Sequence, residues 1–185
     1  MSSNPEDLSY LVSNFDIQKK VKHKLRIIQY KDLFEYDNLL ELIPEPFSIL
    51  VILINTSPSG NAHWVCLIRN GTKLIYFDSY GKGIDQELKY ISKQFRKKLH
   101  ETKPYLSIDI RKLMSTQGFT LEYNKIPFQK YSPNINTCGK FVVFFINSIL
   151  GGKTLADIQS MLKQLKASNS TMTYDDIVNY FYNNY

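Results

Sequence analysis

The stretch of residues 47–54 constrains the fold of this chain most, because it is almost unbroken in apolar and β-branched residues. A half-exposed strand alternates apolar and polar side chains, whereas a strand that is covered on both faces does not. The run therefore predicts a strand at the centre of a sheet. Pro44 and Pro46 precede it and end a predicted helix at residues 31–43.

A β-hairpin is predicted directly after this strand. Residues 63–69 and 72–78 are rich in strand-forming side chains, and Asn70-Gly71 separates them. Asn-Gly supplies the two positive φ angles of a type I′ turn. In such a hairpin the start of the first strand lies near the end of the second, so we expect His63 to lie close to Asp78.

A second apolar run begins just after Cys138 and could form either a buried strand or a helix. Residues 138–150 are long enough for three turns, Asn136 or Thr137 can cap them, and Gly151-Gly152 can end them. These features favour a helix. A cysteine at a helix N-terminus is favoured as a thiolate, which is the nucleophilic form of the side chain.

The rest of the chain shows weaker periodicities, from which we predict helices and strands around this centre. The predicted elements are a helix at residues 4–15 capped by Ser2 or Ser3, a half-buried strand with a cationic outer face at 20–27, a helix at 85–101, short strands at 105–110 and 118–123, and helices near 154–166 and 174–182.

Cys138, His63 and Asp78 together supply the side chains of nucleophilic catalysis: a thiol, an imidazole that takes its proton, and a carboxylate that fixes the tautomer of the imidazole. Each residue also has an ordinary structural interpretation, as a core cysteine, a packed strand end and a turn residue. The predicted hairpin is what brings His63 and Asp78 together.

Length and composition favour one intracellular domain. A chain of 185 residues that is 43% apolar can bury a core as a single domain, with no need of a metal or disulfides. The two cysteines, Cys66 and Cys138, are too few for a disulfide framework, which fits a reducing compartment, and Cys66 is expected in the core. No secretion signal or membrane span is recognisable.

The order of three motifs is similar to a known group of proteases. His63-Trp64, then Asp78-Ser79-Tyr80-Gly81, then Cys138-Gly139 before an apolar helix resembles the adenovirus-type maturation proteases and the SUMO-deconjugating proteases. The adenovirus type is the more similar of the two over residues 54–150. Three further stretches support that preference: Ile54-Asn55-Thr56, residues 85–89 and Pro133-Asn134.

The resemblance implies an adenain-like, papain-like α+β fold, with a mixed sheet from residues 47–78 and 105–123 and the cysteine on a buried helix N-terminus. It divides one domain of residues 1–185 into an arm (1–45), a catalytic core (46–150) and C-terminal helices (151–185). Cys138 would be the nucleophile, His63 the general base and Asp78 the orienting acid. Trp64 would wall the substrate channel, and the Cys138 amide would form one side of the oxyanion hole.

One departure concerns the second oxyanion donor. The family places a glutamine six or seven residues before the cysteine, whereas this chain has Ser132 and Tyr131 there. Gln129 could reach the site through a bulge, or Tyr131 or Asn134 could donate instead. The sequence leaves these alternatives open.

A net charge of +6 raises the question of an anionic partner. Residues 20–26 and the stripe of Lys89, Lys93, Arg96 and Lys97 either form a nucleic-acid track or merely solvate the surface. The family includes a protease that is activated by DNA and by a disulfide-linked peptide. Activation by DNA is thus one expectation, but no cysteine besides Cys66 and Cys138 is available for a covalent tether.

The function that we expect is a cysteine endopeptidase of a double-stranded DNA virus or virophage. It would process capsid precursors after glycine, through a thioester and without a cofactor, in the virion and at the intracellular assembly site. The first alternative is a deconjugating protease for ubiquitin-like or SUMO-like modifiers. The second is a non-catalytic nucleic-acid-binding protein on the same fold.

Overall fold

The computed structural model describes residues 5–184 and has an α+β fold with a central mixed sheet, as predicted. The strands of this part of the chain are β1 (Arg26–Gln29), β2 (Phe47–Asn55), β3 (Ala62–Asn70), β4 (Lys73–Asp78) and β5 (Thr120–Tyr123). Its α-helices are α1 (Pro5–Ser9), α2 (Asn14–Lys20), α3 (Lys93–Lys98), α4 (Tyr105–Gln117), α5 (Cys138–Leu150), α6 (Leu155–Ser168) and α7 (Tyr174–Asn184).

The five strands lie side by side in sequence order. The β2–β3 and β3–β4 pairs are antiparallel, and the two outer pairs, β1–β2 and β4–β5, are parallel. With this topology β1, β2, β4 and β5 end at the same edge of the sheet at which β3 begins. Side chains from all five strands therefore converge at that edge.

Both faces of the sheet are covered, which explains the unbroken apolar run of β2. On one face, Ile49 and Val51 join a core with α2, α5, α6 and α7. On the other face, Leu50 and Ile52 pack with α4 and with three short 3₁₀ helices. Burial of alternate side chains in two cores removes the need for a polar face.

Helix α5 starts at Cys138 and ends at Leu150, as predicted, and every residue from Cys138 to Ile146 is buried. The chain adopts a left-handed conformation just after the helix, at Gly152, where φ is +83°. The predicted side-chain cap is wrong. Thr137 precedes the helix, but its hydroxyl donates to Asp175 instead of accepting from the first turn.

The predictions for the first 45 residues are mostly wrong in detail. In place of one helix at 4–15 there are α1 and α2, because Ser13 caps a new helix by accepting from Asp16 N. The cationic strand predicted at 20–27 begins only at Arg26, and the helix predicted at 31–43 is two 3₁₀ helices, Tyr30–Glu35 and Leu39–Glu41. Ser2, Ser3 and Asn4 lie outside the described residues.

Two predictions in the middle of the chain are also wrong. The helix predicted at 85–101 is a 3₁₀ helix, Glu87–Tyr90, followed by α3, because Ile91 is extended and Ser92 caps the second segment. The strand predicted at 105–110 is part of α4, whose buried side chains Leu106, Ile110 and Leu113 follow helical spacing. The later strand and the last two helices are confirmed.

Candidate active site

His63 and Asp78 meet at the open end of the β3–β4 hairpin. Val65 is the direct partner of Asp78, so His63 lies diagonally across from it, and His63 Nε2 donates to Asp78 Oδ1 at 2.9 Å. Both side chains are buried. The hairpin was predicted, but its loop is shifted by one residue: Asn70 pairs with Lys73, and the turn is Gly71-Thr72.

Cys138 lies close to His63 and favours the charged form of the ring. Because Nε2 is bound to Asp78, Nδ1 is the ring nitrogen available to take a proton from the sulfur. Burial alone would favour the neutral ring, but the interactions with Asp78 and Cys138 outweigh it and raise the pKa of His63 to about 10. The imidazole is therefore a stronger base than an exposed histidine.

Tyr80 holds this ring in place and was missed by sequence reasoning. Its ring stacks on His63 with a centroid distance of 4.7 Å, and its backbone N–H donates to Asp78 Oδ1 at 2.8 Å. The carbonyl of Asp78 accepts in turn from Asn124 Nδ2 at 2.9 Å. The position of the carboxylate is thus fixed through both its side chain and its backbone.

Trp64 lies beside Cys138. Its indole N–H donates to the carbonyl of Val12 at 2.9 Å. A Cβ atom on Gly139 would lie 2.7 Å from Val12 Cβ and 3.1 Å from Trp64 Cδ1. Such contacts are too short for any side chain, so glycine is required next to Cys138.

A groove of about 500 Å³ opens in front of Trp64 and Cys138. Its second wall is the segment of residues 7–14, which we call the N-terminal strap. Backbone carbonyls hold the strap: that of Leu8 accepts from Asn136 N at 2.8 Å, and that of Asp7 accepts from Lys140 Nζ. The predicted structural arm therefore contributes to the candidate site.

The two candidate oxyanion donors differ in environment. Gln129 is buried, its Oε1 accepts from the Ser79 hydroxyl at 2.7 Å, and its Nε2 donates to the carbonyl of Ile135 at 3.3 Å. Tyr131 is 84% exposed, and its ring lies 5.7 Å from that of Tyr80. The amide of Gln129 is thus held in one orientation, whereas Tyr131 lies on the surface.

Asp175 links helix α7 to the loop between Gln129 and Cys138. One carboxylate oxygen accepts from Lys130 N at 3.0 Å, and the other accepts from the Thr137 hydroxyl. Burial raises the pKa of the carboxyl, and these two hydrogen bonds oppose the increase. The sequence holds one clue, since Asp176 already completes the capping box with Thr173 and leaves Asp175 without a local role.

Lys140 is a second buried ionisable residue that sequence reasoning missed. It lies two residues after Cys138, is 2% exposed, and donates to Asn179 Oδ1 at 2.7 Å as well as to the strap. Burial lowers its pKa. A lysine inside an apolar run was the available signal, because such a side chain needs buried acceptors.

The predicted basic stripe does not form on one helix. Lys89 belongs to the 3₁₀ helix, whereas the other members lie on α3, beyond the extended residue Ile91. The three lysines of the stripe are exposed, but Arg96 is half-buried, and its Nε donates to the carbonyl of Glu101 at 2.9 Å.

The described residues offer neither a membrane-spanning helix nor a metal-binding cluster. No helix within residues 5–184 is long and apolar enough to cross a membrane. That same part of the chain has no group of three histidine, cysteine or acidic side chains suited to a metal ion.

Comparison with known proteins gives one distant relative in sequence. No protein-family model matches the chain. The chain is 29% identical over 171 residues to "Uncharacterized protein V9" of Sputnik virophage, a match that covers 92% of this chain and 86% of that protein.

Among solved structures, the chain is similar to two crystal structures of the ASFV pS273R protease, one of them a selenomethionine form. The TM-scores are 0.46 and 0.45, at 14% and 16% sequence identity. Each match covers 83% of this chain but only 62% and 63% of the protease chains, so this chain spans less than two thirds of their length.

Proposed function

We propose that this chain is a cysteine endopeptidase. The observation that carries the proposal is the position of His63, whose Nε2 contacts Asp78 Oδ1 at 2.9 Å and whose ring lies close to Cys138. Cys138 is also the first residue of a buried helix, where unpaired backbone amides stabilise negative charge. A thiol, a base and an orienting carboxylate in this order are the requirements of nucleophilic acyl transfer.

In the proposed reaction, the Cys138 thiol gives its proton to His63 Nδ1, and the raised pKa of the ring favours this transfer. The sulfur attacks the carbonyl carbon, and a C–S bond forms. His63 then protonates the departing amine as the C–N bond breaks, which leaves a thioester on Cys138. A water molecule, deprotonated by His63, hydrolyses the thioester and releases the carboxylic acid and the thiol. Asp78 orients the ring throughout.

For the oxyanion of the tetrahedral intermediates, we propose the backbone N–H of Cys138 and the side-chain amide of Gln129 as donors. Gln129 is buried, and the Ser79 hydroxyl fixes its oxygen, so its N–H groups have one direction. Preorganised donors of this kind lower the barrier more than mobile surface groups do. The exposure of Tyr131 makes it the weaker candidate.

The proposed substrates are viral structural precursors that have glycine before the scissile bond. The glycine preference is carried over from the resemblance to the adenovirus-type proteases. Val12 and Trp64, which pack against Gly139, line the groove beside Cys138 and would border the bound substrate. The relative in Sputnik virophage, aligned over 86% of its length, supports a viral setting.

The decisive experiment treats the full chain with a peptide that ends in a glycine vinyl sulfone and with fluorogenic peptides cut after glycine. We expect modification of Cys138 alone and turnover that is lost in Cys138→Ala and kept in the control Cys66→Ala. Burial raises the pKa of the Cys66 thiol, which should stay unlabelled. Folded protein that shows neither labelling nor turnover would point to a non-catalytic role. Cleavage of a folded ubiquitin-like modifier, but of no peptide, would favour a deconjugating protease.

A further inference from the structure

The groove in front of Cys138 continues along the edge of the sheet. Trp64 on β3 is the direct partner of Leu53 on β2, and Leu53 is the direct partner of Gln29 on β1. All three residues line the groove. Paired residues of adjacent strands point to the same face, so the floor of the groove crosses three strands from the nucleophile to the outer strand β1.

The length of the groove floor from Trp64 to Gln29 sets how many residues of an extended polypeptide it can hold. Neighbouring strands lie about 4.8 Å apart, so the two steps from Trp64 to Gln29 cover roughly 10 Å. An extended peptide advances about 3.3 Å per residue. The end of the groove is therefore about three to four residues from the scissile bond.

The far end of the groove carries a negative charge. Of the described residues that line the groove, Asp32 and Cys138 alone have ionisable side chains. One Asp32 oxygen accepts from Gln29 N at 3.0 Å, and none of the ion pairs among residues 5–184 includes Asp32. This carboxylate lacks a cationic partner on a chain whose net charge is +6.

We infer that the groove selects an extended polypeptide with a lysine or arginine about three to four residues from the scissile bond, and that Asp32 is the residue that recognises it. The inference rests on the proposed endopeptidase function. Apolar walls from Leu11, Ile27 and Leu53 bind the stem of such a long side chain, and the carboxylate binds its charged end. Charge complementarity at a half-buried position adds specificity.

The test uses matched peptides that share one glycine cleavage site. Lysine, norleucine or glutamate is placed at each position from two to five residues before and after the scissile bond. We expect one position at which lysine is preferred over norleucine by about fivefold in kcat/KM, as for a partly exposed ion pair, with glutamate the poorest substrate. The preference should shrink with added salt.

The variant Asp32→Asn keeps an oxygen that can accept from Gln29 N, so the local fold should persist, and thermal unfolding checks this point. It should lose the lysine preference, so that the lysine and norleucine peptides are cut with equal kcat/KM. Asp37→Asn removes the same charge from an exposed residue outside the groove and serves as the matched control.

Each result separates the two proposals. A wild-type enzyme that cuts all peptides equally, or a lysine preference that survives Asp32→Asn or disappears in Asp37→Asn, refutes the inference but leaves the endopeptidase. Absence of both turnover and Cys138 labelling refutes the endopeptidase, and the inference with it.

Discussion

Replacement of Asp175 by alanine should damage the active site from a distance. The substitution leaves two donors without an acceptor: the Thr137 hydroxyl, which is fully buried, and the Lys130 N–H, which is partly buried. An unsatisfied buried donor costs about 1–3 kcal/mol. Because Lys130 can regain water, we expect a loss of about 2–4 kcal/mol, less than the ~5–15 kcal/mol that stabilises a typical domain.

The folded variant should also be a poor catalyst, because the loop released at both ends joins Gln129 to Cys138. A misplacement of about 1 Å at such a site can cost about 100-fold in rate. Urea unfolding gives the stability, and kcat with a glycine-site peptide gives the activity. The control Asp157→Ala removes an exposed carboxylate that accepts from Thr154 N and Oγ1 in the capping box of α6, and it should lower stability by about 1 kcal/mol with kcat unchanged.

A double-mutant cycle tests whether Asp175 and Thr137 stabilise the loop through their mutual hydrogen bond. Thr137→Val removes one of the two donors, so the pair with Asp175→Ala should be less destabilised than the sum of the single variants. Additive losses, or an Asp175→Ala variant with wild-type kcat, would show that the carboxylate does not hold the loop in its active arrangement.

The remaining predictions concern the triad, the oxyanion donor and the charged surface. His63→Ala should abolish turnover, and Asp78→Asn should retain more activity, since packing partly replaces an orienting group; near wild-type rates for His63→Ala would exclude the proposed base. Gln129→Ala should lower kcat by about 100- to 1000-fold and Tyr131→Phe should not, and the reverse pattern would reassign the donor. If the basic surface binds nucleic acid, fluorescence polarisation with random duplex DNA should show binding that weakens with salt, at a slope of about −0.9 per phosphate contact. A variant in which Lys89, Lys93 and Lys97 are changed to glutamate should bind more weakly. If it keeps the wild-type affinity and salt slope, these lysines do not bind DNA and only solvate the surface.

The parts of the fold that sequence reasoning predicted are those specified by local patterns. An unbroken apolar run defined β2, the hairpin followed from strand-forming residues around a glycine turn, and α5 followed from its length and its terminal glycines. The proximity of His63 and Asp78 followed from the hairpin pairing, although the turn lies at Gly71-Thr72, one residue later than predicted. Their catalytic roles and the division of the chain into arm, core and C-terminal helices stay predictions.

The errors arose where tertiary contacts outweigh short patterns. The segment after Pro104 was assigned to a strand over six residues, a window too short to show the helical spacing that continues to Leu113. Lys140 and Asp175 were missed because their partners lie far along the chain, Asn179 for the first and Lys130 for the second. The basic stripe was predicted on one straight helix. The extended backbone of Ile91 divides that segment into a 3₁₀ helix and α3.

The way in which the strap is attached has a consequence for evolution and for engineering. Its hydrogen-bonded anchors are the backbone carbonyls of Asp7, Leu8, Ser9 and Val12, and Val12 is the strap residue whose side chain is also buried in the core. Leu11, by contrast, lines the groove and is 67% exposed. Mutation at Leu11 can therefore change the surface offered to a substrate without loosening the attachment. The cleavage preference of the proposed endopeptidase can thus diversify through single substitutions, while its proposed triad stays unchanged.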